Sequence, residues 1–290
     1  MSDYIVRATA ASESIRAFAI VSTEMVEYAR QVHNASPVVT AGLGRMLSAA
    51  AMMGITLKNE KDLLTLQLQG DGPMKGITVT ANSEGYVKGF PLVSDVILPP
   101  KNKKLDVGGS IFPGYLRVIK DMGLKEPYVG TVQLQTGEIA EDLTYYFAVS
   151  EQVPSSVGLG VLVNKDCTVN CAGGFIVQLM PFCEDSIIEK LEENLKNLPS
   201  VTDMLSSGMS PEDMLEKVLE GFDIDITEKR DTGFKCDCSV ERVERSLSSL
   251  SKQDLDDMIN DNKPVEVRCQ FCNKKYEFSV DDIKTLRQKQ

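Results

Sequence analysis

The sequence predicts an α+β protein in three parts: an N-terminal, mainly antiparallel sheet domain with helices over 1–180, a helical linker over 181–230, and a small all-cysteine zinc-binding domain over 231–290. Three observations predict it. Short β-branched or alternating runs, separated by Gly, Asn and Asp, recur through the first part. Helical spacing and nearly all of the excess acid fall in the second, which holds 5 basic and 13 acidic side chains against 15 and 17 before it and 11 and 12 after it. The last sixty residues have few large apolar groups and carry four cysteines as a CxC and a CxxC pair.

In chain order, "TEMVEYARQVH" (Thr23 to His33) has helical spacing. The small-residue run from Pro37 to Leu57 is about long enough to cross a membrane, but it carries Arg45 near its middle and is rich in Ala and Gly, which predicts a buried helix. "DLLTLQLQG" (Asp62 to Gly70), "GITVTAN" (Gly76 to Asn82), "GYVKGF" (Gly85 to Phe90) and "YVGTVQLQTG" (Tyr128 to Gly137) read as strands of a meander. "QGDGPMKG" between the first two lacks the Gly-Lys-Ser/Thr ending of a phosphate loop and is expected to be a hairpin turn. "GEIAEDLTYYFAVSEQVPSS" predicts a helix stopped near Pro154, followed by a hairpin of "VGLGVLVN" and "VNCAGGFIVQLMP" that closes the sheet.

In the acidic part, "EDSIIEKLEENLKNL" places Ile187, Ile188, Leu191, Leu195 and Leu198 on one stripe and stops at Pro199. "SPEDMLEKVLEGF" offers Ser210 as N-cap and Pro211 at the first helical position, with Met214, Leu215, Val218, Leu219 and Phe222 on one face. Helices this short cannot make their own core, so they must cover a neighbour.

The opening "MSDYIVRATA" lacks a basic segment followed by a long apolar run, which predicts a cytosolic protein without a secretory signal. In a reducing compartment seven cysteines argue for metal binding or redox chemistry over a disulfide framework. The balance of charge disfavours nucleic acid as the main ligand, because phosphate contacts need clustered Lys and Arg. The one histidine, His33, has no nucleophile motif beside it and is expected to face solvent or cap a helix, so no enzyme activity is predicted. Cys167, Cys171 and Cys183 are read as small apolar packing groups.

Cys236 and Cys238 lie two apart, which in extended chain directs both sulfurs to one side, and Cys269 and Cys272 form a metal knuckle. Thirty residues separate the pairs and read as two helices, so four converging sulfurs suit one tetrahedral zinc. A closed structural ribbon is one reading. A reactive centre is the other, favoured by the neighbouring Lys235, Arg268, Lys274 and Lys275, by the strain of any disulfide between residues two apart, and by the domain's dependence on a staple. A zinc-ribbon nucleic-acid binder and a thiol oxidoreductase using the CxxC remain as alternative functions.

The CxC, the spacer and the CxxC, preceded by "FK" and followed by "NKKYEF", resemble the centre of the bacterial redox-regulated chaperones of the heat shock protein thirty-three family. "GDGP" at Gly70 to Pro73, "YYFAVSEQVPSS" at Tyr145 to Ser156 and "AGGFIVQLMP" at Ala172 to Pro181 resemble that family's blocks in its order, over essentially the full length. The resemblance implies an ATP-independent holdase for unfolded client proteins, inactive while reduced and zinc-bound, and activated by oxidants as a homodimer through its first 180 residues. Carried over by position, Cys236, Cys238, Cys269 and Cys272 would ligate one zinc per chain and sense oxidants, pairing as Cys236–Cys238 and Cys269–Cys272 when oxidised. Neither nucleic acid nor membrane is implied as a partner.

Overall fold

The computed structural model describes residues 2–102 and 104–288, which form two compact units, 1–235 and 236–290. In chain order the first unit holds β1 (Tyr4–Ala10), β2 (Ile15–Val21), α1 (Thr23–His33), α2 (Pro37–Gly54), β3 (Leu63–Gly70), β4 (Gly76–Asn82) and β5 (Tyr86–Pro91). It continues through α3 (Val107–Ile111), β6 (Gly114–Asp121), β7 (Tyr128–Gln133), α4 (Ala140–Tyr146) with a π-helical turn to Glu151, β8 (Ser155–Val163) and β9 (Val169–Leu179). It ends with α5 (Asp185–Lys196), α6 (Val201–Ser206), α7 (Pro211–Val218), β10 (Ile224–Asp231) and the two-residue β11 (Gly233–Phe234).

Two sheets flank α2. One has the order β11-β5-β4-β3-β6-β7, the other β10-β1-β2-β9-β8. The predicted meander strands all fall in the first, and "QGDGPMKG" is its β3–β4 turn. The β8–β9 hairpin does not close that sheet, as the sequence reading had it, but joins β1, β2 and β10 in a second one. Nothing local in a hairpin specifies which edge it finds.

Helix α2 touches strands of both sheets, and nearly every residue from Val38 to Gly54 is buried. A helix apolar on all sides can only be interior. Small residues let its neighbours close in: a Cβ on Gly44 would stand 2.7 Å from Val26 and 2.8 Å from Val161. Arg45 interrupts the apolar run, and its Nη1 pairs with Glu138, 2.6 Å away, while its buried Nε has no partner among the described residues. Among the described residues no helix is long and apolar enough to cross a membrane.

The second sheet is buried on both faces. Ile5, Phe18, Ile20 and Ile176 point into the main core around α2, while the alternate residues Val6, Ala8, Ala17, Ala19 and Val177 point the other way. Over that second face lie α5, α6 and α7, contributing Leu191, Met204, Leu205, Met214, Leu215 and Val218. Helix α7 starts as its sequence predicts, with Ser210 and Asp213 in a capping box and Pro211 at the first position. In α5 the stripe runs through Ile187, Leu191 and Leu195, with Ile188 half-buried beside it.

The acidic segment is not helical throughout. Its last seven residues, with Asp231, form β10, paired antiparallel with β1 from Tyr4↔Asp231 to Ala10↔Ile224. Thr232 then donates its backbone N–H to Asp3 and its hydroxyl to Gly85 at 2.6 Å, and β11 pairs parallel with β5 in the other sheet.

The second unit is α8 (Val240–Ser248), α9 (Lys252–Asn260), the hairpin β12 (Val265–Arg268) and β13 (Lys275–Phe278), and α10 (Val280–Gln288). Its buried apolar side chains are Leu247, Leu255, Tyr276, Phe278, Ile283 and Leu286. The two helices expected in the spacer are α8 and α9, started by Ser239 and by a Ser251/Asp254 capping box.

Candidate metal centre

The four cysteines approach from two directions. Cys236 and Cys238 sit in irregular chain just before α8, whose N-cap Ser239 accepts from the Arg242 N–H. Cys269 and Cys272 lie in the turn joining β12 to β13, where Cys269 N–H donates to the Lys274 carbonyl at 3.0 Å and Asn273, at a φ of +58°, donates back to Cys269 at 2.8 Å. That turn folds the CxxC into a knuckle, and the β12–β13 ladder fixes its base.

All four sulfurs lie within 4.8 Å of one another. Across the two arms, Cys236 and Cys269 stand 3.7 Å apart and Cys238 and Cys272 3.3 Å. Zinc at about 2.3 Å from each of four tetrahedral sulfurs requires sulfur–sulfur distances of about 3.8 Å. Donor type, number and spacing therefore fit a metal ion, and no imidazole is needed. His33 is occupied in the first unit, its Nε2 3.0 Å from the Gly89 carbonyl.

The thiols are not equivalent. Burial pushes Cys236 and Cys272 up. Burial also acts upward on Cys238, but hydrogen bonds from the Tyr276 hydroxyl and the neighbouring sulfurs outweigh it and bring this thiol down to about 7. The Tyr276 hydroxyl lies 3.0 Å from Cys238 Sγ, and that bond holds the phenol well above its ordinary value, so it stays a donor.

The basic residues expected to polarise the thiols are engaged elsewhere. Arg268 and Lys275 both pair with Glu266, Lys274 lies over the Tyr276 ring and Lys235 over the Tyr86 ring. The side chain that does reach a sulfur is Tyr276, which sequence reasoning missed. The available signal was a tyrosine, not a phenylalanine, at a buried position of the strand leaving the CxxC turn.

Of the other three cysteines only Cys171 is the packing group expected, buried beneath α6 with its sulfur 3.8 Å from the Thr202 carbonyl. Cys167 is half-buried in the β8–β9 turn with a φ of +68°, and Cys183 is half-buried after the fully exposed Phe182. Turn geometry, not packing, places both.

A family model described as Hsp33 protein matches residues 3–279. The 33 kDa chaperonin of Agathobacter rectalis is 59% identical over 288 residues, covering 99% of this chain and 100% of its own. That of Ruminiclostridium cellulolyticum is 50% identical over 287 residues, covering 99% and 98%. The crystal structure of the 33 kDa chaperonin, a heat shock protein 33 homolog, from Thermotoga maritima superposes with a TM-score of 0.92 at 39% identity, covering 99% of this chain and 98% of that one.

Proposed function

The chain belongs to the Hsp33 family, and from that premise we propose that this chaperone is an ATP-independent holdase switched by oxidation of its four-cysteine centre. The observation that carries the reading is the convergence of four sulfurs in a unit whose buried apolar side chains are as few as those above. Cys236, Cys238, Cys269 and Cys272 are the proposed zinc ligands, one ion per chain. Bound zinc would tie the CxC arm to the CxxC hairpin and contribute roughly 10 to 16 kcal/mol of apparent binding free energy. A core this small supplies about 3 to 5 kcal/mol.

Oxidation by a hydroperoxide pairs Cys236 with Cys238 and Cys269 with Cys272. Each pair of thiolates gives up two electrons as its S–S bond forms, and the peroxide O–O bond breaks, its oxygens taking two protons from solvent to give water and an alcohol, so that the zinc the thiolates would hold is released. These disulfides close very small loops and leave the two arms untied, so residues 236–290 lose their clamp without gaining another. The chain runs from α7 to Cys236 through β10 and β11. In the proposed switch, loosening at the cysteines spreads along this connection to the helices over the second sheet face. Uncovered, Val6, Ala8, Ala17, Ala19 and Val177 offer a continuous apolar surface to unfolding clients. In this division residues 1–180 hold clients and dimerise, 181–230 are the cover, and 231–290 are the sensor.

The test is suppression of aggregation of a thermally unfolding client by reduced and by peroxide-treated protein, with zinc release and sedimentation followed in parallel. Protection that rises with zinc release supports the switch. Equal protection in both states, or no zinc in the reduced protein, overturns it.

A further inference from the structure

Tyr276 belongs to β13, which leaves the CxxC turn, yet its hydroxyl reaches a sulfur of the CxC arm 38 positions earlier in the sequence. The ring is 6% exposed, set among Leu255, Phe278 and Ile283 and held in register opposite Val267 of β12. The hydroxyl is thus aimed by a paired strand and a packed ring, with little freedom to turn elsewhere. Among the four sulfurs, Cys238 alone has a hydroxyl donor assigned to it among the described contacts.

We propose that Tyr276 is a positioning residue for the metal centre, whose O–H···S bond restrains the Cys238 sulfur as a nucleophile and so sets how readily the centre responds to oxidant. This rests on the redox-switch reading and deepens it. A thiolate reacts with a hydroperoxide by placing a lone pair on the terminal oxygen. The S–O bond forms, the O–O bond breaks, the departing oxygen anion takes a proton from solvent, and Cys238 becomes a sulfenic acid. Cys236 then displaces hydroxide from that sulfur, which leaves with a proton as water, and the disulfide forms. A hydroxyl already bonded to the lone pair of Cys238 must be given up before the first of these steps, so the bond raises that barrier. It also joins the hairpin to the CxC arm by a contact independent of any metal ion.

The experiment uses full-length Tyr276→Phe, which keeps the ring and deletes the donor, loaded with cobalt(II) as a spectroscopic probe. Withdrawing a hydrogen bond raises the energy of the sulfur lone pair, so the thiolate-to-cobalt charge-transfer band is expected to move to lower energy. Oxidation at Cys238 by tert-butyl hydroperoxide, mapped by mass spectrometry, is expected to be roughly tenfold faster, the loss of one hydrogen bond to a charged group. A role in packing alone predicts neither change. Site-specific Tyr276→3-fluorotyrosine supplies the opposite arm: a stronger donor of nearly the same shape should move the band to higher energy and slow oxidation. If Tyr276→Phe fails to take up cobalt, the fluorinated variant against the parent decides alone. An unchanged band with oxidation within about twofold of the parent overturns the proposal. Failure of the switch reading is separable, because it would appear as a parent protein that retains its cobalt and protects no client after peroxide, whatever the band in the variants.

Discussion

Residues 1–235 and 236–290 are both compact, but they are held together by different means. In the first unit α2 is enclosed by two sheets and the apolar core is continuous from Ile5 to Ile176. In the second, three short helices and a hairpin of two four-residue strands share Leu247, Leu255, Tyr276, Phe278, Ile283 and Leu286, and the other shared feature is the sulfur cluster. The first unit's stability is set mainly by buried area, and its three cysteines stand apart from the sulfur cluster. The second unit has so small a core that its stability is expected to depend on the state of four atoms, as the proposed sensor role requires.

The largest expected effect follows directly. Chelation of the metal from reduced protein, or Cys269→Ser, should remove roughly 10 to 16 kcal/mol from the second unit, more than its core can offset. Amide protection should collapse across 236–288 and persist in β3 and β4. Full protection of α8 to α10 after complete metal removal would erase the contrast between the units.

Next is the pattern of disulfides. In the structure sulfurs of different arms lie close together, Cys238 with Cys272 at 3.3 Å and Cys236 with Cys269 at 3.7 Å. Pairing within each arm is nevertheless expected, since two residues of chain hold those sulfurs together once the arms separate. Peptide mapping should find Cys236–Cys238 and Cys269–Cys272. A predominant Cys236–Cys269 link would keep the arms tied and leave oxidised protein folded in 236–288, breaking the proposed switch at its first step.

A third prediction sharpens the comparison inside the first unit. Helices α5 to α7 cover one face of a sheet whose strands are also ordered by α2 on the other, so the cover is the more separable layer. Strand β10 adds a ladder to β1 that must open if the whole segment detaches. Exchange should therefore rise in α5 to α7 before β10, and in both before β3. A chain ending at Met180 should protect clients without oxidant, and one ending at Lys235, which keeps the cover but lacks the unit proposed to restrain it, should protect them in part. No protection by a folded, soluble chain ending at Met180 would move the client surface out from under the helices.

What was legible in the sequence follows the same division between local and long-range order. Helices α1, α2 and α7 and strands β3, β4 and β5 were readable because period and caps are properties of neighbouring residues. The strands of the second sheet were harder. "IRAFAIV" is buried on both faces and lacks alternation, "YIVRATA" alternates only from Val6 to Ala10 and on small residues, and "IDITEKRD" hides β10 within an acidic stretch. Sheet membership was not readable at all, since β9 pairs with β2 more than 150 positions away. The cysteine set was legible because metal geometry imposes short spacings. Tyr276 was not, because its contact with Cys238 exists only after α8, α9 and the hairpin have folded.

The smallest expected effect lies in the first unit and distinguishes charge from burial there. Glu27 on α1 accepts from Arg30 at 2.7 Å and from the Val169 N–H at 2.9 Å, joining that helix to the start of β9. The Arg30 hydrogen bonds are the main cause holding its carboxyl down to about 2, against an ordinary value near 4.5. A carboxylate with a depressed folded value stabilises the fold fully above about pH 5, and that contribution disappears as pH falls toward 2. Glu27→Gln keeps the volume and deletes the charge. It should cost about 1 kcal/mol at pH 7, the scale of a partly exposed ion pair, and almost nothing near pH 2. Urea midpoints of parent and variant, followed by circular dichroism from pH 7 downward, should converge with acid. Loss of metal at low pH affects both proteins alike and cancels in the difference. A penalty independent of pH would assign Glu27 a packing role instead, and the first unit would then owe nothing measurable to this ion pair.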